Sequence, residues 1–263
     1  MKKVDLKISL FLAVICLIGG LFVLPYQIEI LQDTLPQEYE RLLETMPIPY
    51  SLLLVASSVQ ISVIAFVLSF IGIKLARKTG FSLKLLDAFF QKEKIKVEAR
   101  IVLLSVLLGL IAAFVLVVMD RFYFQNKIEI LGELQTGFSL MGLLAGIFYG
   151  GVFEEIMLRL FFMSMLVWIM MKLFKRNKKR LPDIYYWIAL MIASFMFAAG
   201  HLPATKMMFG ELTPLLIVRC FLLNGIGGIF FGYLYWKKGF EYAVIAHMFT
   251  HISLQLLITP LFY

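Results

Sequence analysis

Seven stretches of this chain run long and nearly free of charge: Ile8–Leu24, Ser51–Ile73, Ile101–Met119, Phe138–Met171, Ile184–Gly200, Leu212–Trp236 and Tyr242–Tyr263. A helix needs roughly 20 mostly apolar residues to cross a hydrocarbon layer about 30 Å thick. The runs therefore predict an all-α fold, a polytopic membrane helical bundle of about seven to eight transmembrane helices. Residues 1–263 read as a single integral membrane domain. Composition agrees, with 61% of residues hydrophobic and 16% charged, against about 45–50% and about 25% in soluble domains. A soluble protein with very apolar helices would not carry uncharged runs of this length.

The loops predict the orientation. Lys2, Lys3 and Lys7 precede the first run, and residues 27–50 hold five acids against Arg41. Residues 74–100 hold eight bases against three acids, residues 172–183 hold six bases against Asp183, and Lys237 and Lys238 follow the sixth run. Basic loops stay on the cytoplasmic side, so the N-terminus is expected inside and the crossings alternate regularly. The net charge of +8 is thus mainly a topology signal, and no nucleic-acid partner is expected; the partner is the lipid bilayer. The first run, behind Met-Lys-Lys, lacks a small-x-small cleavage site and is expected to be a retained helix rather than a signal peptide. Basic loops without a targeting sequence suit a multi-pass protein of a bacterial plasma membrane. Cys16 and Cys220 both fall in apolar runs and read as small fillers, with no disulfide framework.

Two stretches look interfacial. Phe81, Leu85, Leu86, Phe89 and Phe90 sit among lysines at helical spacing, the pattern of an amphipathic helix on the inner surface. Residues 27–46 suggest an acidic helix pair broken at Pro36. The fourth run is too long for one straight crossing: at 1.5 Å per residue it would extend about 51 Å. It must tilt, bend or break, and Gly150-Gly151 is the expected weak point, because irregular backbone at membrane depth is tolerated where it lines a cavity.

Right after that pair comes GVFEEIMLRLFF, residues 151–162, with Glu154, Glu155 and Arg159 in apolar surroundings. Ionisable residues inside a membrane are rare, and they pair with one another or line water-filled cavities. The other intramembrane polar groups are His201 at the end of run five, Arg219 and Asn224 in run six, and His247 and His251 in run seven. All three histidines of the chain therefore lie in or beside apolar runs. One such histidine alone reads as a satisfied core residue; three with two glutamates read as a site.

Spacing assigns neighbours. Glu155 and Arg159 are four apart and share a helix face, so each can neutralise the other where neither charge would survive alone. Glu154 is rotated about 100° away and has no local cation, which leaves it available as a general base. His247 and His251 are four apart and point the same way, as are Phe197 and His201. One arrangement uses all of them: Glu154 takes a proton from water, the water attacks a carbonyl carbon, and imidazoles steady the water or donate to the developing oxyanion. The same inventory permits zinc on His201, His247, His251 and Glu154, although no HExxH stretch is present. Arg219 reads equally as a snorkelling cation or as a cavity group. Gly225, Gly228 and Gly232, with Asn224, read as a close-packing helix face.

Three of these stretches resemble the motifs of one family. Glu154-Glu155-x-x-x-Arg159 is similar to the EExxxR motif of the CPBP (CAAX protease and bacteriocin-processing, or Abi) family of intramembrane endopeptidases. Phe197-Ala-Ala-Gly-His201 resembles its FxxxH motif, and His247-Met-Phe-Thr-His251 stands where its third motif belongs. The likeness covers about residues 138–255; residues 1–130 match only as divergent hydrophobic helices. The resemblance implies an intramembrane glutamate protease of the CAAX prenyl protease type, with no obligatory cofactor. Its substrate would be a peptide or protein at the membrane, with or without an attached lipid. Carried over, Glu154 activates water with help from His201, His247 and His251 form the oxyanion hole, and Glu155 and Arg159 hold the architecture. The third motif usually ends in asparagine. His251 departs from that, although a neutral imidazole also donates one hydrogen bond.

Two other classes compete. A non-catalytic member would protect against a membrane-active peptide or scaffold a partner. A proton-coupled transporter would show an internal repeat of its broken segment, and none is visible. One difficulty stands against the site itself: counting places His201 near the outer end of run five and His247 near the inner end of run seven.

Overall fold

The computed structural model describes residues 3–129, 131, 137–174 and 181–263. Lys2 and the bases at 175–180, which entered the orientation argument, lie outside the described residues. Among the described residues the chain is helical, without strands. Seven helices among the described residues are long and apolar enough to cross a membrane: α1 (Lys3–Thr34), α3 (Tyr50–Thr79), α5 (Ala99–Phe124), α6 (Leu140–Leu173), Asp183–Phe209, α9 (Pro214–Lys237) and α10 (Phe240–Phe262). The chain is a multi-pass membrane protein. The fifth span is two helices in line, α7 (Asp183–Gly200) and α8 (Leu202–Phe209). Two short helices, α2 (Pro36–Thr45) and α4 (Lys84–Gln91), lie between spans.

Without a hydrophobic drive between helices in lipid, close approach depends on small residues and polar contacts. α1 and α3 run antiparallel: Ser62 donates to Ala13 O at 2.9 Å, and Gly20 lies against Ser58. α7 and α9 form a second antiparallel pair, where Gly228 faces Ser194, Gly232 faces Leu190 and Lys237 pairs with Asp183 at 2.9 Å. The packing expected of Gly228 and Gly232 is thus present, whereas Gly225 has open space beside it. α5 and α10 run parallel, with Gly109 against Ala246 and Phe114 against Phe262. α6 crosses between these pairs, touching α1 at Gly19 and α3 at Gly72. Cys16 and Cys220 are both free and buried.

Four expectations need correction. First, the fourth span does not break at Gly150-Gly151. α6 is continuous, and its turns widen to π-helix over Gly146–Glu154 and again over Ile156–Met163. The glycines serve contact instead: a Cβ on Gly150 would stand 2.6 Å from His251 Nε2, and one on Gly151 2.5 Å from Met248 Cγ. Second, the fifth span does not end at Gly200. Pro203 sits in the first turn of α8, where it lacks a donor that the previous turn would need. The helix therefore resets at His201 and continues to Phe209, so His201 stands at a break inside the span.

Third, residues 27–46 are not a separate acidic pair. α1 runs on to Thr34, and only α2, with no buried residue, is a free-standing amphipathic helix begun by Pro36. Fourth, Phe81 does not belong to the interfacial helix. It is buried in the bundle and stacks on Tyr235 with centroids 4.4 Å apart. Phe89 alone of that set is strongly exposed, on α4.

The glycine contacts generate a stability prediction. A Cβ at position 109 would come within 2.5 Å of the Ala246 carbonyl oxygen, a backbone atom that cannot swing aside. Gly109→Ala is expected to destabilise the bundle by about 1–3 kcal/mol, read as a lower melting temperature of the purified protein in detergent.

Candidate active site

Each polar group of the site is set by a local helical feature. Glu154 ends the first π-helical stretch of α6, and Glu155 lies between the two stretches. π-helical turns concentrate at functional sites; here the widened turns present consecutive carboxylates to different neighbours. Glu155 faces inward and is fully buried with Arg159. Arg159 Nη1 lies 3.0 Å from Glu155 Oε1, an ion-pair approach off the hydrogen-bond line, since Nη1 has no aligned acceptor. Arg159 Nη2 donates to Gly228 O at 3.2 Å. The guanidinium also lies over the rings of Phe197, at 4.6 Å, and Phe231, at 5.4 Å.

The same Glu155 oxygen holds the third motif. His247 Nδ1 is 2.9 Å from Glu155 Oε1. A carboxylate accepts, so Nδ1 carries the proton and Nε2 is turned towards Glu154, 3.8 Å from Oε2. His201 is fixed in the same manner by another acceptor. Its Nδ1 is 2.9 Å from the carbonyl oxygen of Phe197, and its Nε2 points at Glu154, 3.9 Å from Oε1. Two imidazole Nε2 atoms thus face one carboxylate. Folding the His201 ring back along its own helix, together with the break at His201, brings it to the level of His247. That resolves the mismatch in depth.

The rings are walled by aromatics. Phe231 stacks on His247 with centroids 4.3 Å apart and planes 17° apart. Phe197 meets His201 and His247 edge-on, at 4.7 and 5.7 Å. His251 stacks on the ring of His247, at 5.2 Å, and lies in the hollow left by Gly146 and Gly150. It makes no ion-pair contact with Glu154 among the described residues. The structure therefore brings Glu154, His201 and His247 around one space, with Glu155, Arg159 and Phe197 behind them and His251 alongside His247.

Among the described residues, no group of three or more His, Cys, Asp or Glu side chains is arranged to hold a metal ion. Glu154 with two Nε2 atoms is the nearest approach to the zinc set considered from the sequence, and His251 stands apart from it.

Burial divides the cluster by accessibility. Glu154 keeps 14% of its side-chain surface and His201 31%, while Arg159 and Glu155 keep 1% and 0%. The first two can meet a ligand; the last two cannot. Arg219, ambiguous in the sequence, belongs elsewhere: it pairs with Asp120, its Nη2 2.6 Å from Oδ2. Sequence reasoning missed Asp120 as that partner, and it missed Phe231, which sits in a run of apolar residues where nothing distinguishes it from Phe230. Neither Gly142 nor Gly146 was singled out, although glycine spaced by four on α6 was a readable sign of close approach.

Fold and cluster together define a multi-pass membrane protein with an acid–imidazole site buried among its spans. Residues 136–253 match the family model described as type II CAAX prenyl endopeptidase Rce1-like. The segment is similar to that family of membrane endopeptidases, which is consistent with the CPBP resemblance. No curated protein and no solved structure matches the chain significantly.

The buried pair carries a prediction of its own. Arg159→Met removes the cation paired with Glu155 and strands a buried carboxylate, so a loss of about 3–5 kcal/mol is expected. The check is thermal melting together with the yield of folded protein, with Arg159→Lys partly restoring both.

Proposed function

We propose that the chain is an intramembrane endopeptidase of the CAAX prenyl protease type that hydrolyses a peptide bond with water activated by Glu154. The observation that carries this reading is the convergence of two imidazole Nε2 atoms, from α7 and α10, on the one partly accessible carboxylate of α6. A water between them can donate one hydrogen to Glu154 and the other to an Nε2 that has no proton of its own. Glu154 takes the first proton as the water oxygen bonds to the carbonyl carbon. The tetrahedral oxyanion then needs a donor, which the second imidazole supplies after its Nε2 takes a proton from solvent, returned to solvent when the product leaves, and such charge stabilisation is commonly the largest contribution to a rate. Collapse breaks the C–N bond, and the proton on Glu154 passes to the leaving amine. No covalent intermediate forms.

His201 and His247 differ within this scheme. His201 is the more accessible and is suited to meet the substrate, whereas His247, held by Glu155 and Phe231, sets the position of the water. His251 supports the ring of His247 in the place where the family usually has asparagine. The scheme needs no metal; two imidazoles and a carboxylate are also the donor types of a three-ligand catalytic zinc site, and chelation separates the two readings. By the basic-loop rule the N-terminus is cytoplasmic, and the substrate is a peptide or membrane-proximal protein segment.

Glu154→Gln is expected to abolish cleavage of a quenched peptide by the protein in detergent, at least about 10²-fold, without lowering its melting temperature. Retained cleavage would remove glutamate from the mechanism. A fully active protein after exhaustive chelation agrees with the metal-free reading, and loss restored by zinc overturns it. His251→Asn is expected to keep most activity and His251→Ala to lose most of it; the reverse order would deny His251 a polar role.

A further inference from the structure

The end of the bundle where α1 begins carries lysines that the acid–imidazole site does not use. Lys3 and Lys7 are four apart, and Phe11, Val14 and Ile18 continue the same stripe of α1. Spacings of three and four keep all five on one helix face, and all five are exposed. The stripe therefore has cations on its first turns and bare apolar side chains beyond them. Helix α4 lies beside it. Phe11 meets Phe90 edge-on, with centroids 5.6 Å apart, and Phe89 at 6.3 Å. Phe89 keeps 57% of its surface and extends the exposed apolar face.

α4 ends at Lys92, and the chain leaves it through Lys94, Ile95, Lys96 and Val97, all exposed. Lys92 has a φ of 58°. That left-handed position usually falls to glycine, which has no Cβ to clash. A lysine occupies it here, so a charge is kept at this place against the preference of the backbone.

Nearby acids do not cancel these cations. Asp5 and Asp87 are both taken by Arg77, at 2.7 and 2.6 Å. Glu93 and Glu98 remain, against Lys3, Lys7, Lys92, Lys94 and Lys96. None of these five lysines makes an ion pair among the described residues. Lysine clusters beside a membrane helix attract anionic headgroups, and a lysine can lay its stem along apolar surface while its ammonium reaches outward.

We propose that Lys3 and Lys7 of α1, with Lys92 of α4, hold the phosphate headgroup of an anionic phospholipid whose chains run along Phe11 and Val14 beside Phe89. By the basic-loop rule this lipid belongs to the inner leaflet. The proposal is independent of the peptidase chemistry, although the two are linked through the fold. Leu86 N of α4 donates to Glu241 Oε1 at 2.8 Å, in the first turn of α10. A lipid that steadies α4 thereby steadies the helix that carries His247.

The test uses the full chain in nonionic detergent with added phosphatidylglycerol or phosphatidylcholine of identical chains. Native mass spectrometry should show phosphatidylglycerol retained about tenfold more, with the ratio falling as salt rises. Phosphatidylglycerol should also raise the melting temperature above that seen with phosphatidylcholine. Lys7→Glu combined with Lys92→Glu should erase both differences. Lys172→Glu, which changes charge in the last turn of α6, should leave them. Lys92→Gly suits the left-handed backbone, so it should weaken retention without lowering the melting temperature of the lipid-free protein. Equal retention of the two lipids, or as large a loss from Lys172→Glu as from the paired change, overturns the proposal. So does displacement of phosphatidylglycerol by glycerol 3-phosphate at a similar concentration, which would mark a plain anion site to which the chains add nothing.

Discussion

The Glu155–Arg159 pair is the constraint on which the centre of this protein rests. Two opposite charges sit one helical turn apart on α6, both out of reach of solvent. Removing charges from water is expensive, and mutual attraction offsets that only when other partners complete the set. Here the completion comes from three other places in the chain: the Gly228 carbonyl, the His247 Nδ1, and the faces of Phe197 and Phe231. The pair therefore ties α6 to α7, α9 and α10 at one depth. It also fixes which nitrogen of His247 carries the proton, and hence which one faces Glu154.

Glycine gives this polar centre its room. α6 and α10 pack antiparallel, with Gly142 beside Gln255, Gly146 and Gly150 beside His251, and Gly151 beside Met248. A side chain at position 146 or 150 would run into the ring of His251 and push α10, which carries His247, away from α6. Packing and chemistry thus share the same residues, as in other membrane bundles where small side chains permit backbone approach. The widened π-helical turns of α6 fall in this same stretch.

Much of the site was legible in advance because charge inside an apolar run is costly and therefore informative. Glu154, His201 and His247 were singled out on that ground, and they do meet. Their meeting could not be derived by counting. His201 was placed too far out because its span was taken to stop at Gly200, and Pro203 was not seen to reset the helix rather than end it. Phe231 and Asp120 were invisible for a different reason: an aromatic in an apolar run and an aspartate at a span end are both ordinary until a partner from elsewhere in the chain stands beside them.

By itself the sequence determined that the chain crosses a membrane about seven times, since no other solvent suits such uninterrupted apolar runs. It also determined that Glu155 must be neutralised by Arg159, because four-residue spacing leaves that pair on one face. Tertiary structure alone decided that Glu155 would hold His247 and that His251 would stand beside that ring rather than at the carboxylate. Those outcomes depend on which helices touch and at what level, and helical periodicity carries no information about contacts between spans far apart in the chain.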